Sequence, residues 1–208
     1  MDRVVVVGGG IVGLMHAVQA RQRGYEVIHL EREAGTRGAS VRNFGLIWIS
    51  GRAAGPELQL ALRARQLWEE IADQVEGTGF RPHGSLTLAS CEAELTVLKE
   101  AAAAQLLLVQ RLDGRLTIGD THSYAEPFPF DVDEAPYDHL RARAAELLGS
   151  QLPPTRLRWA GVYSQVTNTD LYHRSRLADG MMLVTGPGGR GMTCSPAIAE
   201  ETYRMEAM

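Results

Sequence analysis

The chain opens on a run of β-branched residues, Arg3 to Val7, that stops at three glycines. An uninterrupted apolar run of this length bounded by glycine reads as a buried parallel strand. Ile11 to Arg23 then places small and apolar residues at helical spacing, and Gly24 ends the helix as a left-handed cap would. Glu26 to Leu30 is a second strand, which completes a βαβ unit. From Gly35 to Gly55 the periodicity is lost and glycine recurs at 35, 38, 45, 51 and 55, so this is a long loop; such loops in compact domains usually carry function. Pro56 opens a helix whose buried stripe is Ala61, Ala64, Trp68, Ile71 and Val75.

Further on, Ser85 to Ala89 alternates like a strand, and Glu92 to Ala104 reads as a helix. Leu107 to Leu112 and Arg115 to Gly119 flank Asp113-Gly114, a hairpin signal. Tyr137 to Leu148 is an amphipathic helix, and Leu157 to Ser164 and Met181 to Thr185 read as strands. Ser195 to Met205 is a last helix, with Ser195 as cap and Pro196 at its first position. The element order predicts an α/β fold: a Rossmann-like domain with a βαβ start and an inserted, reduced antiparallel segment.

Composition narrows the function classes. A net charge of -4 with scattered basic residues excludes a nucleic-acid surface. Two cysteines, Cys91 and Cys194, are too few for a disulfide framework or a zinc site, so no metal is expected and a reducing compartment is. The apolar start carries an acid, Asp2, lacks a small-residue cleavage site and is broken by Gly8-Gly9-Gly10, so it reads as a strand entering a turn rather than a signal peptide. No stretch is long enough to span a bilayer. The expectation is a cytoplasmic protein without nucleic-acid or membrane partners.

Gly8-Gly9-Gly10-Ile11-Val12-Gly13 satisfies G-x-G-x-x-G between a predicted strand and a predicted helix, and Glu31 stands at the end of the next strand, 18 residues after Gly13. Gly8 permits the tight turn, Gly10 lets backbone approach a pyrophosphate, and Gly13 lets helix and strand pack closely. The phosphates then meet unpaired N–H groups at the positive end of the helix. Glu31 can accept hydrogen bonds from both adenosine ribose hydroxyls, and an acid there disfavours the 2′-phosphate of NADP. The fingerprint alone leaves FAD and NAD open.

Three stretches resemble the D-amino-acid-oxidase-like family of FAD proteins: Val4 to Leu14, the loop Gly38-Ala39-Ser40-Val41-Arg42-Asn43-Phe44-Gly45, and Gly186-Pro187-Gly188-Gly189-Arg190-Gly191-Met192-Thr193. The resemblance implies FAD as cofactor. It implies that Ser40, Arg42, Asn43, Gly45 and Leu46 run past the flavin diphosphate and ring, with Gly8, Gly10, Ile11, Val12, Gly13, Glu31 and Arg32 around the rest of the cofactor. Gly188, Gly189, Gly191, Met192 and Thr193 would face the pyrimidine edge, where a helix N-terminus stabilises the negative charge of reduced flavin. The implied reaction is hydride transfer from the carbon beside an amine to flavin N5, with a small amine as substrate and no obligatory acid–base residue. Ser40 to Trp48, Gly119 to His122 and Gly186 to Glu200 are similar to the branch linked to aminophosphonate breakdown.

Arg190 is the candidate for an anionic substrate group, because a guanidinium grips carboxylate or phosphonate through two bonds; a solvated turn arginine is the alternative. His122, after the hairpin, is a second substrate-binding candidate, with a surface or packed histidine as the alternative. Trp48 and Trp159 read as core residues. Family members are several hundred residues long, whereas here the resemblance falls in two blocks, from the start to about Ala104 and from about Leu106 to the end. The chain therefore reads as one FAD-binding domain, 1–208, internally shortened near Gln105, with 106–130 as what remains of the substrate domain. Lost strands should expose apolar surface and edges, through which copies could associate. A non-catalytic FAD- or nucleotide-binding remnant and an NAD-dependent dehydrogenase stay open as alternatives; the C-terminal glycine turn argues against the latter.

Overall fold

The structure, a computed structural model, describes residues 2–86, 106–119, 121–124 and 133–206. In chain order the elements are β1 (Arg3–Val7), α1 (Ile11–Gln22), β2 (Glu26–Leu30), α2 (Pro56–Gln74), β3 (Leu107–Gln110), β4 (Leu116–Gly119), α3 (Ala135–Leu148), β5 (His173–Ala178), β6 (Met181–Thr185) and α4 (Gly191–Glu206). Short 3-10 turns cover Ala39–Val41 and Gly188–Arg190. The helix expected at 92–104 and most of the strand expected at 85–89 lie outside the described residues. Contacts group the chain into two compact units, residues 1–84 with 160–208 and residues 85–159, the second extending on both sides of the 106–130 segment.

The first unit begins with the expected βαβ crossover. β1 and β2 pair in parallel, Arg3 opposite Glu26 through Val7 opposite Leu30. Gly24, at φ +84°, stops α1 behind its Arg23 cap. The burial expected of β1 is corrected. Val6 is buried, but Val5, Val7, Ile28 and Leu30 are exposed, Val7 at 80%. The physical reason is that α1 packs on one face of the pair, whereas Val5, Val7, Ile28 and Leu30 share the opposite face, which no element among the described residues covers.

Helices make the core of this unit. α2 starts on Pro56 and buries Ala61, Ala64, Trp68 and Ile71 as expected, joined by Leu60 and Leu67. Val75 falls off the stripe, because it is the extended cap residue and 53% exposed. α4 packs against both α1 and α2. Fully buried alanines at 61, 64, 197 and 199 allow the close approach.

Two further expectations fail in the C-terminal half. Residues 157–164 form no strand; only Gln165 makes an isolated bridge, to Pro187, and β6 pairs antiparallel with β5, an element not expected. The last helix starts at Gly191, ahead of Ser195, and holds Pro196 inside it. Ser195 is not a cap: it is fully buried and its hydroxyl has no partner among the described residues. The 3-10 turn at Gly188–Arg190 leads straight into the helix, so the entry needs no serine. Pro196 forgoes one backbone bond, which burial of Cys194, Ala197, Ile198 and Ala199 offsets.

In the second unit, β3 and β4 form the expected hairpin about Gly114, at φ +81°. α3 packs on β4 with Leu140 and Ala144 buried, and Gly149 caps it in the left-handed region. Trp159 is 37% exposed, contrary to a core role.

His16 ties α1 to α4. Its Nδ1 lies 2.7 Å from the Val12 carbonyl, to which it donates, and its Nε2 lies 3.1 Å from Thr202 Oγ1. Burial lowers its pKa from 6.5; the Val12 bond opposes that shift and the Arg174 charge adds to it. The unfolded chain therefore takes up this proton at a higher pH than the folded one does. Stability should be undiminished above about pH 6.5 and fall as the pH drops from there toward the folded pKa. Thermal melts between pH 7.5 and 5 should show this slope in the native chain and lose it in His16→Gln; an equal slope in both would remove His16 as its source.

Candidate functional site

The glycine turn between β1 and α1 is built to bring main chain close together. Gly8, at φ +113°, turns the chain off β1, and its N–H donates to the Leu30 carbonyl at 2.8 Å. A Cβ on Gly13 would fall on the Gly8 carbonyl oxygen and lie 3.0 Å from its carbon. His29 Nε2 donates to that same oxygen at 2.8 Å, a support that the sequence pattern does not announce. At the helix entry the Ile11 N–H donates to Ser40 Oγ at 2.8 Å. The Val12 and Gly13 amides, the other donors of the first turn, have no partner among the described residues.

Glu31 completes this side. Its Oε2 accepts the Gly9 N–H at 2.5 Å and its Oε1 accepts the Glu33 N–H at 3.1 Å. Those bonds, Glu33 first and then Gly9, hold its pKa below the ordinary value, so it is a carboxylate at neutral pH. A carboxylate offers about four acceptor sites, which leaves room for hydroxyl donors. Arg32 next to it is solvent-exposed and pairs with Glu33 at 3.2 Å.

The loop from Ser40 runs on to the second glycine turn. Asn43 folds it locally, with Nδ2 donating to the Ser40 carbonyl and Oδ1 accepting the Gly45 N–H at 2.6 Å. Arg42 Nη1 donates to the Ala160 carbonyl at 3.1 Å. Thr193, buried in the first turn of α4, ties together the loop from Leu46 to Arg52 and the helix α2. Its Oγ1 accepts the Trp48 N–H at 3.1 Å and an Arg52 N–H at 3.3 Å, and donates to the Leu46 carbonyl at 3.4 Å. Its carbonyl accepts the Trp68 indole N–H at 3.0 Å. Gly186 and Gly188 both have positive φ and lie against Ser164 to Val166. Gly189 is exposed beside Tyr163, and Met192 packs against the Met15–Trp68 cluster.

Arg190 stands in this turn with its Nε donating to Glu57 Oε1 at 2.9 Å; Arg52 reaches the same oxygen at 3.4 Å. Arg52 and Glu57 thus join Arg190 in one cluster, and the sequence reading did not single them out. His122 lies in the second unit, exposed, with its ring 6.4 Å from that of Tyr124, and is not among the residues gathered in the first unit. No metal-binding cluster occurs among the described residues. Cys194 is buried, with its thiol pushed up to about 11 chiefly by desolvation, so it stays protonated at neutral pH.

A family model described as FAD dependent oxidoreductase (DAO) matches the chain over residues 3–108 and again over 104–205. The chain belongs to the DAO family of FAD-dependent oxidoreductases. No curated protein and no solved structure matches it. As in the DAO family, its cofactor is FAD, and the first turn fits that group. Two free amides at a helix N-terminus suit a diphosphate, and a charged Glu31 with spare acceptor sites suits a ribose. Glu31→Ala should weaken FAD binding roughly tenfold, the scale of a lost charged hydrogen bond, and titration by flavin fluorescence checks it.

Proposed function

We propose that this DAO-family chain oxidises the C–N bond of a small amine, amino acid or aminophosphonate. When bound, FAD supplies the hydride acceptor at N5. The chain's own residues hold and orient: the β1–α1 turn with Glu31 and Ser40 at the dinucleotide end, the Asn43–Trp48 loop with Thr193 and the Gly186–Gly191 turn at the other. The observation that carries this reading is the junction at Thr193, where the loop resembling the flavin-contacting segment meets the C-terminal glycine turn. The aminophosphonate assignment rests on the resemblance of Ser40 to Trp48 and of Gly186 to Glu200. Arg190 is the group we assign to an acidic substrate end. His122, in the second unit, is the residue we keep as a substrate-side proposal. We place the protein in the cytoplasm, on its sparse cysteines; among the described residues no helix is long and apolar enough to cross a membrane.

We further propose that the chain is internally shortened and turns over slowly. The two matched family segments abut at 104–108, which supports a join there. A pocket short of walls holds a small amine poorly against the flavin, and near-attack distances of roughly 3–3.5 Å are needed. The β1–β2 sheet, two-stranded among the described residues, favours the second reading, cofactor binding without turnover. Purified protein should be yellow and should ignore NADH; colourless protein that binds NADH tightly would sink the FAD-oxidase reading. Peroxide release from FAD-loaded protein should be slow with amines, amino acids and aminophosphonates. A rate of about 1 per second or faster would overturn the shortened-pocket proposal while leaving the reaction class standing.

A further inference from the structure

We propose that His29 is a positioning residue for the cofactor diphosphate: it clamps the dinucleotide turn in either protonation state and, when charged, strengthens the hold on FAD, so that FAD binding takes up a proton. This rests on FAD as the cofactor and is independent of the amine-oxidation reading. The end of β2 grips the turn with three consecutive residues. His29 Nε2 donates to the Gly8 carbonyl at 2.8 Å, the Leu30 carbonyl accepts the Gly8 N–H at 2.8 Å, and Glu31 Oε2 accepts the Gly9 N–H at 2.5 Å. Thr36 Oγ1 donates to the Gly9 carbonyl at 3.3 Å. The backbone polar groups of Gly8 and Gly9 are thus all paired, which leaves the Val12 and Gly13 amides for the diphosphate.

Within this grip His29 is the member whose charge can change. Leu30 contributes main chain, and Glu31 is held as a carboxylate. The His29 Nε2 would lie 3.6 Å from a Cβ on Gly13, so the ring stands beside an amide that the diphosphate takes. Its Nδ1 has no partner among the described residues, and the residue is exposed. A proton added at Nδ1 therefore breaks no bond: Nε2 goes on donating to Gly8, and the ring gains a positive charge. The surroundings leave that charge to the ligand. Val6 lies opposite His29 on β1, Arg3 pairs with Glu26 at the far end of the strands, and Arg32 pairs with Glu33. On α1, Ile11 to Ala20 carries no charged residue, and burial keeps His16 neutral above about pH 6.5. Glu31 stands two residues along β2 and supports the charged ring with or without FAD. A diphosphate adds two negative charges on this turn, which tightens the ring's hold on its proton; by linkage, the charged ring tightens the hold on FAD.

Clamp and charge are separated by two variants and by pH. Native full-length protein freed of FAD, titrated by flavin fluorescence, should bind FAD about threefold more tightly at pH 6.5 than at pH 8. Calorimetry at pH 7 in buffers of different ionisation heat should show net proton uptake. ADP-ribose, which brings the diphosphate without the flavin, should show the same pH dependence. His29→Gln keeps an N–H for Gly8 and never charges, so it should match the native chain at pH 8 and lose the pH dependence. His29→Leu lacks donor and charge and should bind FAD roughly fivefold more weakly at pH 8. Added salt should flatten the native pH dependence and leave the gap between the two variants in place. Native affinity in His29→Leu at pH 8, a pH dependence that persists in His29→Gln, or no proton uptake by the native protein would each overturn the proposal while leaving FAD as the cofactor. If His29→Leu does not fold, the pH dependence of native and His29→Gln protein decides alone.

Discussion

Gly13→Ala should abolish FAD retention and destabilise the first unit by about 3 kcal/mol or more, the upper end of overpacking penalties. The reason is steric and falls on backbone. The added methyl would land on the Gly8 carbonyl oxygen, which is itself held by His29. Neither atom is the tip of a flexible side chain, so relief requires α1 to move off β1. That movement would also pull the Ile11 amide from Ser40 and the Gly9 amide from Glu31. Gly35→Ala is the matched control, since a Cβ there meets nothing within 4 Å. Urea unfolding and flavin content of the two variants decide the matter: equal behaviour would show that the turn tolerates a side chain and would undo the assignment of its close packing.

Trp68→Ala should be comparably severe, about 3–5 kcal/mol by the usual cost of deleting a buried aromatic side chain. Trp68 is 9% exposed and packs with Met15, Ile71 and Ala199, so it joins its own helix, α2, to α1 and α4. Its indole N–H also serves the Thr193 carbonyl. Trp68→Phe separates the two contributions, keeping most of the packing and losing the hydrogen bond, about 1 kcal/mol. The phenylalanine variant should keep FAD more weakly than the native chain, because Thr193 holds Leu46 and Trp48 in the loop that we propose for the flavin side. Chemical denaturation gives the stability difference, and a phenylalanine variant less stable than the alanine variant would contradict this account.

What could be read from the sequence follows the range of the forces involved. The βαβ start was legible because its signals are local: a β-branched run, a glycine fingerprint, helical spacing and an acid at the next strand end. The hairpin at Asp113-Gly114 and the body of α2 were legible for the same reason. Residues 157–164 show the limit, since strand propensity becomes a strand only when another strand supplies the ladder, and here the pairing is a single bridge, Gln165 to Pro187, just past the segment. β5 was missed because His173 to Ala178 carries two arginines and a histidine and does not look apolar. Pro196 misled because proline usually marks a helix start, whereas the glycine turn had already begun α4.

The candidate site divides in the same way. The sequence brought out Gly8, Gly13, Glu31, Ser40, Asn43 and Thr193, which sit in motifs. It could not bring out Arg52 and Glu57, because their meaning depends on Arg190, 133 positions beyond Glu57. Nor could it reveal His29 as the brace of the first turn, a role set by strand register and not by any residue pattern.

The bare flank of the β1–β2 pair governs how this protein should behave in concentrated electrolytes. Val5, Val7, Ile28 and Leu30 hold apolar area in water that most folded chains withdraw. Ammonium sulfate, excluded from such surface, raises the free energy of keeping it wet. The chain should therefore salt out early and bind phenyl resin tightly. Replacing Val7, whose side chain is the most exposed of the four, with threonine should delay both, with little change in the melting temperature, since a residue that remains in water contributes little to folding.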